Sequence, residues 1–182
     1  MVSNLVEENG IDCELGRTNI HFAAKKSHVD ELRDEVNHLR AEYNYDQISG
    51  VESLSLEELT SGVGFYYGVV DHGARHLHPL KYCLGLAKAV MMAGASVFEK
   101  SQVKTIKVKR DHAVISTEKA IIKAQKVVLA CNGYLGNLFP PIASNIMPIN
   151  NFMVATEPLD DATANRINPL NASLSDSLYV IN

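Results

Sequence analysis

The sequence has no tryptophan, only three cysteines and only six prolines in 182 residues. Cys13, Cys83 and Cys131 are odd in number and far apart, which excludes a closed disulfide framework and the close cysteine spacing of a zinc cluster. Reduced buried thiols are expected, with Cys83 on the apolar face of a helix and Cys131 beside a turn. No apolar run approaches the ~20 residues of a membrane-spanning helix, because Lys, Glu, Gly or Asn interrupts each one. Charge of neither sign dominates. A net charge of −4 and a pI near 6.0 leave no large basic surface for nucleic acid or an anionic membrane. Met1 to Gly10 holds Glu7 and Glu8 and no apolar h-region, so a secretory signal is not expected and the cytoplasm is the expected compartment. Internal repeats and low-complexity tracts do not occur, and no pattern sets an oligomeric state.

What is present is a hydrophobic fraction of 46%, enough to bury a core in one ordinary domain or in pieces of two. Residues 19–23 alternate like a strand. From Ser27 the apolar residues Val29, Leu32, Val36, Leu39 and Tyr43 recur at steps of three and four, which predicts an amphipathic helix capped by Ser27 with Asp30 as capping-box partner. A second, shorter helix is expected from Ser55, with Glu58 completing a capping box, Leu54 and Leu59 forming a hydrophobic staple, and an end near Gly62. The aromatic and β-branched residues 65–70 predict another strand.

Pro79 suits the first turn of a helix whose apolar stripe is Leu80, Cys83, Leu84, Ala87, Val90 and Met91, expected to be core and to stop at Gly94. Short strands are predicted at 95–98, 103–108, 114–117, 120–124 and 127–130, with Arg110, Asp111 and His112 as a hairpin turn. The run Val127-Val128-Leu129-Ala130 reads as a strand buried on both faces, as in a parallel sheet. A further strand is expected at 151–156, followed by a polar stretch, 160–176, that reads as a solvated loop or short helix. The last residues, 179–182, read as the start of another strand.

Two motifs carry the chemistry. His76-Leu77-His78-Pro79 joins a rigid turn to a helix, and Val127 to Tyr134 is a buried strand that ends in a glycine turn. Nucleotide cofactors are held largely by backbone at such junctions. The pattern therefore points to a flavoprotein. His72, His76 and His78 also bring three imidazoles close in sequence, but apart from Asp71 no further ligand sits at usual zinc spacing. Metal binding is not the favoured reading; a turn whose histidines hydrogen-bond locally or face the flavin cleft is.

Residues 68–157 resemble the flavin-dependent amine and amino-acid oxidoreductases of the D-amino-acid oxidase superfamily, and most closely gamma-glutamylputrescine oxidoreductase-like members. The residues that carry the likeness are Asp71, Gly73, His76 to Pro79, Val103, Ala130 to Asn137, Met147-Pro148 and Ala155 to Pro158. Gly10 to Leu15 is also similar to the segment leading into the substrate domain of that family. The likeness implies an α/β (α+β) fold: an incomplete FAD-binding dinucleotide domain with part of an interleaved β-sheet substrate domain. Residues 1–75 and 146–182 would be substrate-domain portions, and 76–145 the central part of the FAD-binding domain.

The activity it implies is oxidation of a small amine or amino acid by hydride transfer to FAD, giving an imine that water hydrolyses. Val103 would approach the adenine end, and Ala130, Cys131, Asn132, Gly133 and Tyr134 would lie against the ribose and diphosphate. Gly133 is expected where backbone approaches a ligand closely. His76 and His78 would face the substrate or flavin cleft. Arg75 stands where related sequences have glycine, and its bulk is expected to move backbone or to occupy cofactor space. The strand, Gly-x-Gly-x-x-Gly turn and helix that receive the diphosphate are not found; Gly62-Val63-Gly64 with Gly68 follows a helix and lacks the context. A central fragment, not competent alone, is therefore expected. The alternative from another class is a non-catalytic globular remnant or interaction module without flavin.

Overall fold

The computed structural model describes residues 1–150 and 152–178. The chain forms two compact units, Met1–Ala95 with the chain from Thr156 onward, and Ser96–Ala155.

The first unit begins with a short helix α1 (Val2–Glu8) and strand β1 (Gly16–Phe22), followed by α2 (Val29–Tyr43), β2 (Ile48–Glu52), β3 (Tyr67–His76) and α3 (Pro79–Met92). Its sheet has the order β2-β3-β1 and then a fourth strand from the end of the chain. β3 pairs antiparallel with both β1 and β2. Strand alternation sends neighbouring side chains to opposite faces, and each face has its own core. On one face Leu32 and Val36 of α2 pack with Ala23, Ile48, Tyr67 and Val69. On the other, Ile20, Phe22 and Val70 pack with Leu56, Leu59 and Ala172. Phe22 stacks on Phe65 with ring centroids 4.4 Å apart.

The second unit holds β4 (Thr105–Val108), β5 (Ala113–Ser116), β6 (Ile121–Ala124) and a one-turn helix α4 (Pro140–Ala143). β4, β5 and β6 form an antiparallel meander. The hairpin expected at Arg110 to His112 is there, closed by Lys109 N–H donating to the His112 carbonyl at 2.8 Å. The chain then re-enters the first unit, where α5 (Asp161–Ile167) leads to β7 (Ser173–Asp176), parallel to β1. Asp160 caps α5 by accepting from Thr163 N–H at 2.9 Å.

Several expectations from sequence are corrected. α2 starts after a 3₁₀ turn over Lys26–His28, so His28 and not Ser27 occupies the cap position, without a side-chain cap bond. The Ser55 capping box does not form: Ser53–Glu58 is 3₁₀ with Glu52 at its cap position and no side-chain cap bond, and Leu54 is 95% exposed, so it staples nothing. Residues 95–98, 127–130 and 152–156 are not strands, and residue 151 and residues 179–182 lie outside the described residues. A strand needs a neighbour to take its backbone groups, and among the described residues none pairs with these segments. The polar stretch holds β7 as well as a helix.

The apolar stripe of α3 is not core. Leu80, Leu84, Val90 and Met91 are exposed, as is Cys83. The helix packs through Gly85, where an added Cβ would overlap the buried side chain of Ile11. Among the described residues no helix is long and apolar enough to cross a membrane.

Candidate cofactor and substrate site

β3 does not run straight into the His76 to Pro79 turn. Arg17 lies opposite Arg75 and Asn19 opposite Asp71, so Thr18 alone faces His72, Gly73 and Ala74. This is a bulge, a device that bends a strand and re-aims the chain beyond it. Thr18 takes φ +78, a region that costs a β-branched residue ~1–3 kcal/mol. Asp71 Oδ1 accepts from Gly73 N–H at 2.8 Å, Ala74 N–H at 3.1 Å and the Tyr45 hydroxyl at 2.6 Å. That hydrogen bond to Asp71, with burial second, raises the Tyr45 phenol above its ordinary pKa. Arg75 is exposed, and its Nη1 donates back to the carbonyls of His72, Gly73 and Ala74 at 3.0, 3.0 and 2.7 Å.

Each of the three histidines has a hydrogen-bond partner far off in sequence, and His78 also has a near one in the Lys81 N–H. His72 Nδ1 lies 3.4 Å from Thr18 Oγ1. His76 Nε2 donates to the Asn171 carbonyl at 2.8 Å, and its ring covers Gly16, where a Cβ would overlap it. His78 N–H donates to the Cys13 carbonyl at 2.8 Å, while its Nδ1 caps α3 by accepting from Lys81 N–H at 3.4 Å. Pro79 follows at the first helical position, where its missing N–H costs nothing. The Lys81 ammonium pairs with Glu14; the pairing holds the Glu14 carboxyl below its ordinary range and raises Lys81. Among the described residues, no group of three His, Cys, Asp or Glu side chains is placed to hold a metal.

In the second unit, Cys131 precedes a 3₁₀ turn over Asn132–Leu135. Asn132 takes φ +51 and its Oδ1 accepts from Gly133 N–H at 2.8 Å. Leu135 is buried and anchors the turn, while Tyr134 is 96% exposed. Gly133 has no positive φ, and an added Cβ would meet only Pro148, at 3.9 Å. Among the described residues nothing requires glycine there, and its backbone is open to approach by a ligand. A cleft of about 330 Å³ adjoins the turn, lined by Gly133, Gly136, Asn137, Pro140 and Pro148. Val103, half-buried in the segment before β4, belongs to this unit, as do Ala130 to Tyr134. His76 and His78 belong to the other.

The family model for FAD-dependent oxidoreductases matches residues 1–182. The chain belongs to the FAD-dependent oxidoreductase family. Within this family it is 34% identical over 183 residues to a probable oxidoreductase OrdL of Rhizobium meliloti, covering 99% of this chain and 42% of that protein. It is 25% identical over 182 residues to gamma-glutamylputrescine oxidoreductase of Escherichia coli, again covering 42% of that protein. The chain thus spans about two fifths of the length of the relatives it matches. Among solved structures, glycine oxidase from Geobacillus kaustophilus superposes with a TM-score of 0.64 at 21% identity, covering 75% of this chain and 37% of that one. L-proline dehydrogenase from P. horikoshii gives 0.62 at 16%, covering 81% and 40%. The α/β (α+β) fold of the family, present in part, is therefore the fold of this chain.

Sequence reasoning missed Tyr45 as the partner of Asp71 and Asn171 as the partner of His76. An Asp two residues before a Gly signals the Asx turn at 71–73. No local signal pairs residues 95 positions apart.

Proposed function

We propose that the chain forms the central part of a flavin-dependent oxidoreductase that oxidises a small amine or amino acid. Residues 76–145 would belong to the cofactor side, and 1–75 with 146–182 to the substrate side. Bound FAD would supply the hydride acceptor for the carbon that bears the amine. The protein's part is to bind and orient. Ala130, Cys131, Asn132, Gly133 and Tyr134 would hold the ribose and diphosphate portion through the exposed turn, and Val103 the adenine end. His76 and His78 would face the substrate or flavin cleft from a turn whose backbone is fixed by His78 N–H at the Cys13 carbonyl and whose His78 ring accepts from Lys81 N–H.

The observation that carries this reading is the open Gly133: a glycine that neither its φ nor its protein neighbours demand is explained by a ligand lying on the backbone. The same fact makes a clean test. Gly133→Ala should leave the melting temperature unchanged, because the new methyl meets ordinary van der Waals space. Gly133→Val should weaken FAD binding about tenfold or more, through loss of close approach. Visible absorbance and flavin fluorescence during FAD titration of the whole chain measure this. Near-stoichiometric flavin uptake by the wild-type chain would overturn the alternative, a non-catalytic module that keeps the scaffold without flavin, whereas no uptake of added FAD would overturn cofactor binding by this chain alone.

A further inference from the structure

The bulge before His76 is stapled from both sides by its own flanking residues. Asp71, just before it, collects the N–H groups of Gly73 and Ala74 on one carboxylate oxygen. Arg75, just after it, collects the carbonyls of His72, Gly73 and Ala74 on one guanidinium nitrogen. His72 N–H, the remaining donor, goes to the Gln47 carbonyl at 2.8 Å. Three carbonyls aimed at one point repel each other unless a cation sits there. Nη1 has two protons for three oxygens, so at least one proton is shared. Gly73 is required for steric reasons, since a Cβ there would overlap the Tyr45 hydroxyl that holds Asp71.

We propose that Asp71 and Arg75 are positioning residues that grip the 72–74 bulge from opposite sides and so aim the His76 to Pro79 turn and the start of α3. The grip fixes where β3 leaves the sheet. From there, His76 reaches the Asn171 carbonyl and His78 reaches the Cys13 carbonyl. Arg75 therefore acts on the turn through the backbone it caps, without itself reaching toward a ligand. What the turn presents to a substrate rests on the flavin-oxidoreductase reading; the grip itself does not.

Amide hydrogen exchange followed by NMR on the whole chain tests this, with Arg75→Met, Arg75→Lys and Asp71→Asn compared with the parent. In Arg75→Met the Gly73, Ala74 and His78 amides should exchange about tenfold faster, while Val69 and Val70 keep their protection. Arg75→Lys, which restores a cation with three donors, should return most of that protection. Asp71→Asn, which keeps the acceptor oxygen but loses the charge, should speed exchange at Gly73 and Ala74 to a smaller extent. Unchanged exchange at 73, 74 and 78, or a uniform rise across β1 and β3, would overturn the proposal. FAD titration of the same variants separates the two readings. Weaker binding in Arg75→Met with recovery in Arg75→Lys extends the grip to cofactor or cleft geometry. A parent that binds no FAD overturns cofactor binding by this chain alone, while the exchange pattern still decides the grip.

Discussion

At the residue scale, single side chains are fixed by contacts that no neighbour in sequence announces. Gly50 in β2 exists because the Tyr67 hydroxyl lies where its Cβ would be. Tyr67 is 5% exposed, and the Arg33 guanidinium rests 5.2 Å from its ring centroid. Arg33 in turn pairs with Glu52 at 2.7 Å, and that hydrogen bond raises the Arg33 pKa further above its ordinary value. Burial raises the Tyr67 phenol, with Glu52 adding to it and Arg33 opposing it. Gly50→Ala should thus cost ~1–3 kcal/mol by overpacking and return the Tyr67 titration toward the ordinary phenol range. Urea denaturation and ultraviolet titration of tyrosine check the two halves. An unchanged midpoint would mean that the ring moves freely, contrary to its burial.

At the level of elements, capping chemistry sets how α5 responds to acid. The Thr163 N–H bonded to Asp160 holds its carboxyl below the ordinary value of 3.8. A depressed carboxyl contributes stability that is present above the unfolded-state pKa and is lost as pH falls through the folded-state pKa. Helical carbon shifts of residues 161–167 should therefore fade below about pH 4 in the parent. Asp160→Asn, which keeps the acceptor without the charge, should remove that acid dependence. Legibility in the sequence also differed from element to element. α2 was legible because Leu32 and Val36 repeat at helical spacing and find the sheet. β3 was legible from its aromatic and β-branched start, and the β4 to β6 meander from its turns. β2 was hidden by Gly50 and by its glutamate, which weaken any strand signal, and β7 by serines and an aspartate. Its pairing with β1 is stated only in three dimensions. At the two motifs, the turn before α3 at His76 to Pro79 and the turn within Ala130 to Tyr134 were legible. The bulge between Asp71 and Arg75 was not, since a register shift depends on the facing strand.

At the scale of the whole molecule, the notable property is how much apolar surface faces solvent. Leu80 and Leu84 on α3 are 62% and 60% exposed, although their spacing predicts a core face. Periodicity shows that a helix has an apolar side but says nothing about whether a partner covers it. Leu84→Glu should accordingly change unfolding free energy by less than ~0.5 kcal/mol, as for an exposed site. A buried leucine would cost ~2–5 kcal/mol on truncation alone. Chemical denaturation distinguishes the two. A large loss would return α3 to the core.

The parallel pairing of β1 with β7 has a consequence for synthesis. Asn19 bonds Ser173, and His21 bonds Ser175, across 154 positions of chain. β1 leaves the ribosome well ahead of β7 and waits for that whole span before its last neighbour arrives. Contacts of such span close slowly, and during the delay one flank of β1 offers unpaired amides and carbonyls to any passing strand. The nascent chain is thus exposed to misassembly along β1, and chaperone demand at that flank should end when residues 173–176 emerge.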